Sequence, residues 1–309
     1  MAALVIYVQL QKVELDSAAG DLTFGTDIAL FKGNLYASSD GLSNGSGAVF
    51  RVSKDKLEKE FGEFGRIGQH LGYSMFSDGY TMTVVSRGTI TKDKRETNGL
   101  VTLNGAYNGE LVGFTFEPKD AITIKDQTFV AVDTSVYVFT HVTSTTSYLS
   151  YIFEARVESK LDGYGDKICW VTAGECTILT RMAGEDTWEK TSGFSTPATQ
   201  VFLTTFGMYG VSDGKLYAYN VSKDGQTVTS TVHDTGKRGP TVLSMLSDRS
   251  IPVVAVEVDS TSIHVFSFVE DAFKYSGICT QSGLIDIEPL TSKSVVVSAS
   301  NDLFRVNLV

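Results

Sequence analysis

Residues 71–85, LGYSMFSDGYTMTVV, carry the pattern that decides the fold. Residues 73–77 suit a short strand, and Asp78-Gly79 supplies residues that tolerate a positive φ at the centre of a two-residue turn. Residues 80–85 are rich in Thr, Val and aromatic side chains, which favour a strand. The stretch therefore predicts a β-hairpin that turns at Asp78-Gly79.

Similar hairpin patterns recur along the whole chain. Six further copies are centred on the dipeptides Lys32-Gly33, Lys125-Asp126, Asp166-Lys167, Asp213-Gly214, Asp248-Arg249 and Ser292-Lys293. Successive turns are 46, 47, 41, 47, 35 and 44 residues apart. A repeat of about 40–45 residues with four strands in each unit is typical of a β-propeller blade. Seven hairpins predict an all-β, seven-bladed β-propeller; another large all-β fold, such as a sandwich, is the alternative.

The two ends of the chain complement each other. Residues 284–309 have room for only three strands, and residues 3–14 precede the first hairpin. We expect the N-terminal segment to supply the fourth strand of the last blade, which would leave no open edge. The blades are predicted at residues 22–64, 65–117, 118–159, 160–192, 193–235, 236–279, and 280–309 with 3–14. They form one predicted domain over residues 1–309.

Charge and composition limit the partners. The 309 residues carry a net charge of −10, and 42% of them are apolar. An acidic chain is a poor partner for nucleic acid, whose binding depends on Lys and Arg contacts to phosphates, or for an anionic membrane surface. The sequence contains neither a signal-peptide pattern nor a membrane-spanning run, and we expect an intracellular location. Other proteins are the expected partners.

Three cysteines, Cys169, Cys176 and Cys279, follow no zinc-ligand spacing. We expect buried thiols in a reducing compartment. Cys169 and Cys176 fall in neighbouring strands of one predicted hairpin, so a disulfide between them is the alternative.

Two segments resemble the FG-GAP propeller repeat. Residues 24–29, FGTDIA, and residues 71–76, LGYSMF, are each followed by a short turn and an apolar strand. The resemblance covers two of the seven blades and implies a propeller of a class that includes cell-surface receptors and lectins. Calcium-binding members carry an Asp-x-Asp-x-Asp loop that this sequence lacks, and Asp40 with Asn44 and Ser46 is a poor substitute. The Trp-Asp dipeptide of WD40 repeats is also absent.

No catalytic motif is present. The four histidines lie in different predicted blades, and there is no nucleophile elbow, phosphate-binding glycine loop or zinc-protease motif. We expect no cofactor and no metal site. The scattered acids Glu154, Glu158, Asp162 and Asp166 are expected to be solvated. Carboxylates from different blades could still form a hydrolase or lyase site without a local motif, so enzyme activity is disfavoured but stays open.

Propeller topology indicates which loops share one face. The connections between blades and the loops between second and third strands lie on the same side. This brings together residues 40–47, 66–72 and 87–98, and rigid scaffolds often bind partners through such loops. Residues 91–98 are predicted to be a loop with the chain's basic island, whereas residues 140–151 are predicted to be a polar hairpin. The candidate binding residues are Asp40, Asn44, Arg66, His70, Arg87, Lys92, Lys94 and Arg95.

The function favoured by the sequence is a non-catalytic protein-interaction scaffold within a larger assembly. A glycan-binding propeller is the first alternative. It would need exposed aromatic residues at matching positions of the blades, and Trp170 and Trp188 do not recur at the repeat. A propeller hydrolase or lyase is the second alternative.

Overall fold

The structure is a computed structural model. It describes residues 8–9, 25–41, 45–53, 56–59, 69–92, 95–182, 187–205, 207–222, 227–246, 250–259, 261–300 and 302–308. Within these residues the strands form seven four-stranded sheets, which confirms the predicted number of blades. We number the sheets 1 to 7 along the chain.

The chain divides into two compact units. The N-terminal unit (Gln9–Val157 with Asn301–Leu303) contains sheets 1 to 3. The C-terminal unit (Met1–Val8, Glu158–Ser300 and Phe304–Val309) contains sheets 4 to 6 and most of sheet 7. The single domain expected from the sequence stays a prediction.

The strands of sheets 1 to 3 are β2 (Ile28–Phe31), β3 (Asn34–Ser39), β4 (Ala48–Ser53) and β5 (Lys56–Lys59); β6 (Ser74–Ser77), β7 (Thr81–Lys92), β8 (Arg95–Gly105) and β9 (Gly109–Leu111); and β10 (Asp120–Ile124), β11 (Gln127–Ala131), β12 (Ser135–His141) and β13 (Ser147–Glu154). Those of sheets 4 and 5 are β14 (Asp162–Tyr164), β15 (Lys167–Thr172), β16 (Glu175–Arg181) and β17 (Trp188–Ser195); and β18 (Gln200–Leu203), β19 (Met208–Ser212), β20 (Lys215–Val221) and β21 (Val228–Asp234). Sheets 6 and 7 comprise β22 (Thr241–Leu246), β23 (Ile251–Asp259), β24 (Ser262–Val269) and β25 (Ala272–Cys279); and β26 (Leu284–Thr291), β27 (Ser294–Ala299) and β28 (Asp302–Asn307) with β1 (Val8–Gln9).

In sheets 1 to 6 the strands follow one another in chain order, whereas in sheet 7 β1 lies beside β28. Neighbouring sheets of a unit enclose an apolar core. Second strands are buried on both faces because they have a strand on each side and a packed layer above and below. Every residue of β11, QTFVA, and of β27, SVVVSA, is buried. This is why these segments have nearly continuous apolar runs rather than the alternation of a half-exposed strand.

Several predicted turns are confirmed. The last pairs Phe31↔Asn34, Ile124↔Gln127 and Thr291↔Ser294 leave two-residue turns at the predicted dipeptides. Two others are shifted by one residue. In sheet 4 the pair Tyr164↔Lys167 centres the turn on Gly165-Asp166 rather than Asp166-Lys167. The predicted turn at Asp248-Arg249 lies outside the described residues, between the paired Leu246 and Ile251.

The hairpin in residues 71–85 is the second shifted turn. The carboxylate of Asp78 accepts hydrogen bonds from the backbone N–H groups of Tyr80 at 2.8 Å and Thr81 at 2.6 Å. Asp78 therefore acts as the first residue of an Asx turn, and the centre moves to Gly79-Tyr80. Asp-Gly marks the hairpin correctly, but the side-chain hydrogen bond sets where the chain reverses.

Asp213-Gly214 turns as predicted but joins different strands. The pair Ser212↔Lys215 closes a two-residue turn between β19 and β20, the second and third strands of sheet 5. The other predicted turns connect first and second strands. The prediction was therefore wrong by one strand in this sheet, which explains the short interval of 35 residues to the next turn.

The N-terminal closure of sheet 7 stays a prediction. The sheet order is β1-β28-β27-β26, so Val8–Gln9 lies beside the last strand. The rest of the proposed strand, residues 3–7 and 10–14, lies outside the described residues. β17 continues to Ser195, slightly beyond the approximate limit of residue 192 expected for the fourth blade.

Buried carboxylates link the first strands of neighbouring sheets. Asp27 is 1% exposed and accepts from the backbone N–H of Met75 at 2.7 Å. The hydroxyl of Ser74 lies 3.2 Å from Asp27 Oδ2 and 2.7 Å from Asp120 Oδ1. In the C-terminal unit, Asp162 accepts from Leu203 N at 2.6 Å. The expectation that Asp162 is solvated is therefore wrong: it is 3% exposed, and its carboxylate satisfies the backbone N–H of Leu203 at the end of β18.

Candidate functional site

Two of the three predicted loops meet in the N-terminal unit. Gly47 and Leu71 form an isolated parallel bridge. His70 N donates to Gly45 O at 2.6 Å, and Leu71 N donates to Ser46 O at 3.1 Å. The described parts of residues 40–47 and 66–72 are thus joined by backbone hydrogen bonds. We call these residues, with Arg87, the loop surface.

Asp40 and His70 are the predicted pair that this contact brings together. His70 Nδ1 lies 3.9 Å from Asp40 Oδ2, and the imidazole is half-exposed. Asp40 also accepts from the hydroxyl of Thr26 at 2.9 Å. His70 has a φ of 47°, so its backbone is in the left-handed region. Asp40 is therefore partly satisfied within the unit, whereas the imidazole of His70 is accessible to a partner.

Arg87 is held in place by its neighbours. Its Nε and Nη2 atoms donate to Glu117 Oε2 at 3.1 and 2.8 Å. The guanidinium lies 4.2 Å from the centre of the Tyr73 ring, a cation–π contact. Arg87 can contact a partner only as part of this group of three side chains. Asn44, Arg66 and Lys94 lie outside the described residues.

The predicted loop at residues 91–98 is wrong. Thr81–Lys92 and Arg95–Gly105 pair as one hairpin whose last pair is Lys92↔Arg95. β6 covers only residues 82–85 of the hairpin, and β9 covers only residues 101–103. The outer half is a two-stranded ribbon that extends about 20 Å beyond its sheet, at about 3.3 Å per residue over six residues. Thr89, Ile90 and Thr91 favour a strand, and this preference outweighs the charged residues that suggested a loop.

The basic island at the ribbon end is weaker than the sequence pattern suggests. Lys92, Lys94 and Arg95 alternate with Asp93 and Glu96, so residues 91–98 have a net charge of only +1. This stretch of sequence therefore carries charges of both signs, and we expect only modest electrostatic attraction to an acidic partner.

β13 carries the most unusual surface of the N-terminal unit, and the sequence analysis did not recognise this surface. Residues 140–151 form the expected hairpin, because β12 and β13 pair as far as His141↔Ser147. The hairpin is less polar than expected, since β13 presents Tyr148, Leu149 and Ile152 with 51%, 45% and 50% exposure. Val142, just before the strand, is 64% exposed. No residue between Asp133 and Glu154 carries a Lys, Arg, Asp or Glu side chain. This long uncharged interval was the signal available in the sequence.

β13 is also the last strand of its sheet, and among the strands that the structure describes none pairs with its outer edge. Ala155 N donates to Thr134 O, and Val142 N donates to Thr146 O. Antiparallel pairs alternate between hydrogen-bonded and non-hydrogen-bonded positions. Counting from these two hydrogen-bonded pairs, Tyr137↔Ile152 and Phe139↔Leu149 are non-hydrogen-bonded pairs. The backbone N–H and C=O groups of Leu149 and Ile152 consequently point away from β12.

Other last strands carry the polar or charged residues that usually protect an edge. β5 is KLEK, β17 contains Glu189-Lys190, β21 is VTSTVHD and β25 contains Lys274. β13, SYLSYIFE, has no charge before its final residue. Exposed apolar edges of this kind mark either interaction sites or sites of aggregation.

A buried histidine supports the start of β13. His141 Nε2 lies 2.7 Å from Thr128 Oγ1, and Nδ1 lies 2.6 Å from Ser147 Oγ. The ring stacks on Tyr107 with centroids 4.1 Å apart. Burial lowers the pKa of His141 to about 4, although Asp126 partly opposes the shift. The imidazole is therefore neutral near pH 7.

The other predicted chemical groups are dispersed. Cys169, Cys176 and Cys279 are free and buried as expected, without the alternative disulfide. Burial raises the pKa of Cys176 and of Cys279 to about 12, so both thiols are protonated. Within the described ranges no three His, Cys, Asp or Glu side chains cluster as metal ligands. No helix in that part of the chain is long and apolar enough to span a membrane.

Comparison with solved structures supports the fold. The chain is similar to the WD40 β-propeller domain of Doa1, with a TM-score of 0.65 and 10% identity over 98% of this chain and 96% of that one. It is also similar to YCF48 from Cyanidioschyzon merolae, with a TM-score of 0.59 and 13% identity over 98% of both chains. A protein from Lactobacillus plantarum matches with a TM-score of 0.62 and 10% identity over 86% of this chain and 91% of that one.

The chain is therefore an all-β, seven-bladed β-propeller. At these identities the similarity extends to the fold alone. No protein-family model and no curated protein matches the sequence, and the FG-GAP resemblance gains no support at the level of a family.

Proposed function

We propose that this propeller is a non-catalytic protein-interaction module that binds an extended segment of a partner along β13. The observation that carries the proposal is an eight-residue edge strand with exposed apolar side chains, free backbone groups and no charge before Glu154. A partner strand would hydrogen-bond to Leu149 and Ile152 and add a fifth strand to sheet 3. Main-chain hydrogen bonds would supply affinity, and apolar side chains on alternate positions would supply specificity.

The surface also defines the chemistry of the partner segment. Burying Tyr148, Leu149 and Ile152 is favourable only against apolar side chains, because a charged residue placed there would lose its hydration without a counter-ion. We therefore expect an uncharged, β-prone segment that is rich in aliphatic or aromatic residues. The loop surface and the ribbon of β7 and β8 lie in the same unit and are proposed as additional contacts that affect association rate.

The test is capture of partners from whole-cell extract of the source organism, with mass spectrometry and then a binding measurement with the purified partner. Whole-cell extract is chosen because the intracellular location stays a prediction. Ile152→Lys should weaken binding at least tenfold, since a lysine in the strand interface loses hydration. The exposed position should keep the free energy of unfolding within about 0.5 kcal/mol.

The matched control is Val232→Lys, which places lysine at a similarly exposed aliphatic position on the last strand of sheet 5. It should bind the partner like the wild type. Equal binding by Ile152→Lys and the wild type would rule out β13 as the interface.

A second variant tests the ribbon. Replacing Lys92, Lys94 and Arg95 together by Ser should leave the melting temperature nearly unchanged, because exposed charge pairs contribute only about 0–1 kcal/mol each. If the ribbon contacts the partner, the association rate should fall and wild-type binding should weaken with salt.

The control for the ribbon is the triple variant Lys237→Ser, Lys274→Ser and Lys293→Ser, which changes the net charge equally within the C-terminal unit. Normal association by the ribbon variant at low and high salt would leave the basic island without a binding role.

A further inference from the structure

A second candidate binding site lies in the C-terminal unit, in an open cleft between sheets 5 and 6. The cleft consists of two adjoining cavities of about 530 and 380 Å³, and both are lined by His233 and Asp271. Sites for small ligands typically have volumes of about 300–1,000 Å³. The cleft belongs to neither β13 nor the loop surface.

The aromatic wall of the cleft results from the way successive side chains of β24, SIHVFSFV, alternate between the two faces of the strand. Ile263 and Val265 belong to the core shared with sheet 7, whereas Phe266 and Phe268 belong to the core shared with sheet 5. Successive residues of a strand point to opposite faces, so His264 lies on the same face as the two phenylalanines. Aromatic side chains therefore line one face of this strand.

The neighbouring strand extends this wall. Phe273 on β25 lies 5.2 Å from Phe268, and Tyr275 lies 5.6 Å from Phe266, both measured between ring centroids. Tyr275 is 47% exposed. The wall thus continues from the packed core to a ring face that is accessible to a ligand.

Polar groups with free hydrogen-bonding capacity surround this wall. Asp271 is in the turn between β24 and β25, and its carboxylate is close enough to raise the pKa of Tyr209, for which burial is the larger cause. His233 packs on Phe268 with ring centroids 4.4 Å apart. Among the described residues, neither Asp271, Tyr209 nor His233 makes a side-chain hydrogen bond. Together they offer a strong acceptor, a hydroxyl and an imidazole.

The charges around the cleft disfavour an apolar or an anionic ligand. An apolar ligand would leave the Asp271 carboxylate desolvated without a partner, and Asp271 would repel an anion. The second acid, Asp234, is already bound by Arg238 through hydrogen bonds of 2.8 and 2.7 Å. Lys237 lies close enough to lower the pKa of His264, for which burial is the larger cause. Arg238 is thus paired with its acid, and neither Arg238 nor Lys237 lines the two cavities, so they do not oppose an amino group on the ligand.

We propose that the cleft binds a neutral carbohydrate of one or two pyranose rings. The C–H face of a pyranose packs on an aromatic ring, whose face is electron-rich. Its hydroxyl groups donate to Asp271 and exchange hydrogen bonds with Tyr209 and His233. The proposal concerns one cleft formed by two sheets, and so it does not require aromatic residues repeated in every blade.

The test is titration of the full chain with methyl glucopyranoside, methyl galactopyranoside, N-acetylglucosamine, maltose and lactose, by calorimetry and saturation-transfer NMR. At least one of these should bind, and glucuronic acid should bind more weakly than the neutral sugars. Asp271→Asn should weaken binding about tenfold through loss of a charged acceptor. Tyr275→Ala should weaken it by a similar factor through loss of the stacking ring.

Matched control variants distinguish a specific loss of sugar binding in the cleft from general effects of substituting a surface residue. Glu270→Gln changes the adjacent residue of the same turn, and Tyr148→Ala removes an equally exposed tyrosine from sheet 3. Both should bind sugar normally, as should Ile152→Lys, so this test is independent of the interaction proposed for β13. The proposal is overturned if none of the neutral sugars binds, or if Asp271→Asn and Tyr275→Ala bind them as the wild type does.

Discussion

Replacing Gly47 by alanine should lower the free energy of unfolding by about 4 kcal/mol, near the upper end for a single substitution. Gly47 has a φ of 77°, and an added Cβ would lie 2.2 Å from Leu71 O and 2.3 Å from Leu71 N. The atoms that the added Cβ would meet belong to the backbone of Leu71, so they cannot rotate away as a side chain could. Relief of the overlap would separate Gly47 from Leu71 and break the bridge that joins the two loops beside Asp40 and His70. The measurement is urea denaturation at equilibrium.

Gly33→Ala is the matched control, because Gly33 has a φ of 74° but no atom within 4 Å of an added Cβ. It should cost only about 1 kcal/mol, the conformational penalty alone. Equal effects of the two variants would show that the close approach of Gly47 to Leu71 does not support the loop surface.

The second large effect is loss of stability in mild acid caused by His141. The unfolded histidine binds a proton below about pH 6.5, whereas the folded one does so only below about pH 4 because burial lowers its pKa. Between these values the unfolded state holds more protons, so stability falls as the pH falls. The stability that the folded protein gains from keeping His141 neutral is complete above pH 6.5 and lost near pH 4. Allowing for partial solvent screening, it amounts to about 2 kcal/mol.

Denaturation of the wild type and of His141→Gln at pH 7 and pH 4.5 measures this contribution. The wild type should lose about 2 kcal/mol more than the variant between the two pH values. Parallel pH profiles for the wild type and His141→Gln would contradict the buried, neutral state of His141.

The fold could be predicted because its main signal is local. Hairpin turns depend on a few residues that tolerate positive φ, so Lys32-Gly33 and Lys125-Asp126 identify their strands without knowledge of the rest of the chain. The same property caused the error in sheet 5. Asp213-Gly214 forms a good two-residue turn, but the turn chemistry does not indicate whether it joins the first and second or the second and third strands.

The binding surfaces were harder to predict. Topology alone was sufficient to bring residues 40–47 and 66–72 together, because consecutive blades place these loops on one side. The hairpin of residues 140–151 was expected, but the apolar surface of β13 was missed because Tyr148, Leu149 and Ile152 have the same apolar character as core residues. Only their place on the last strand of a sheet exposes them. The cleft in the C-terminal unit depends on Asp271, His233 and Tyr209, which are far apart in sequence and approach only when sheets 5 and 6 pack together.

Amide hydrogen exchange of β13, measured by NMR with and without the captured partner, tests the proposed interaction most directly. In the free protein the amides of Leu149 and Ile152 point away from β12 and should exchange quickly. Strand addition should protect these two amides in the complex, while Tyr209 on β19, the second strand of sheet 5, should remain unchanged. Unchanged, rapid exchange at Leu149 and Ile152 in a saturated complex would contradict strand addition at β13.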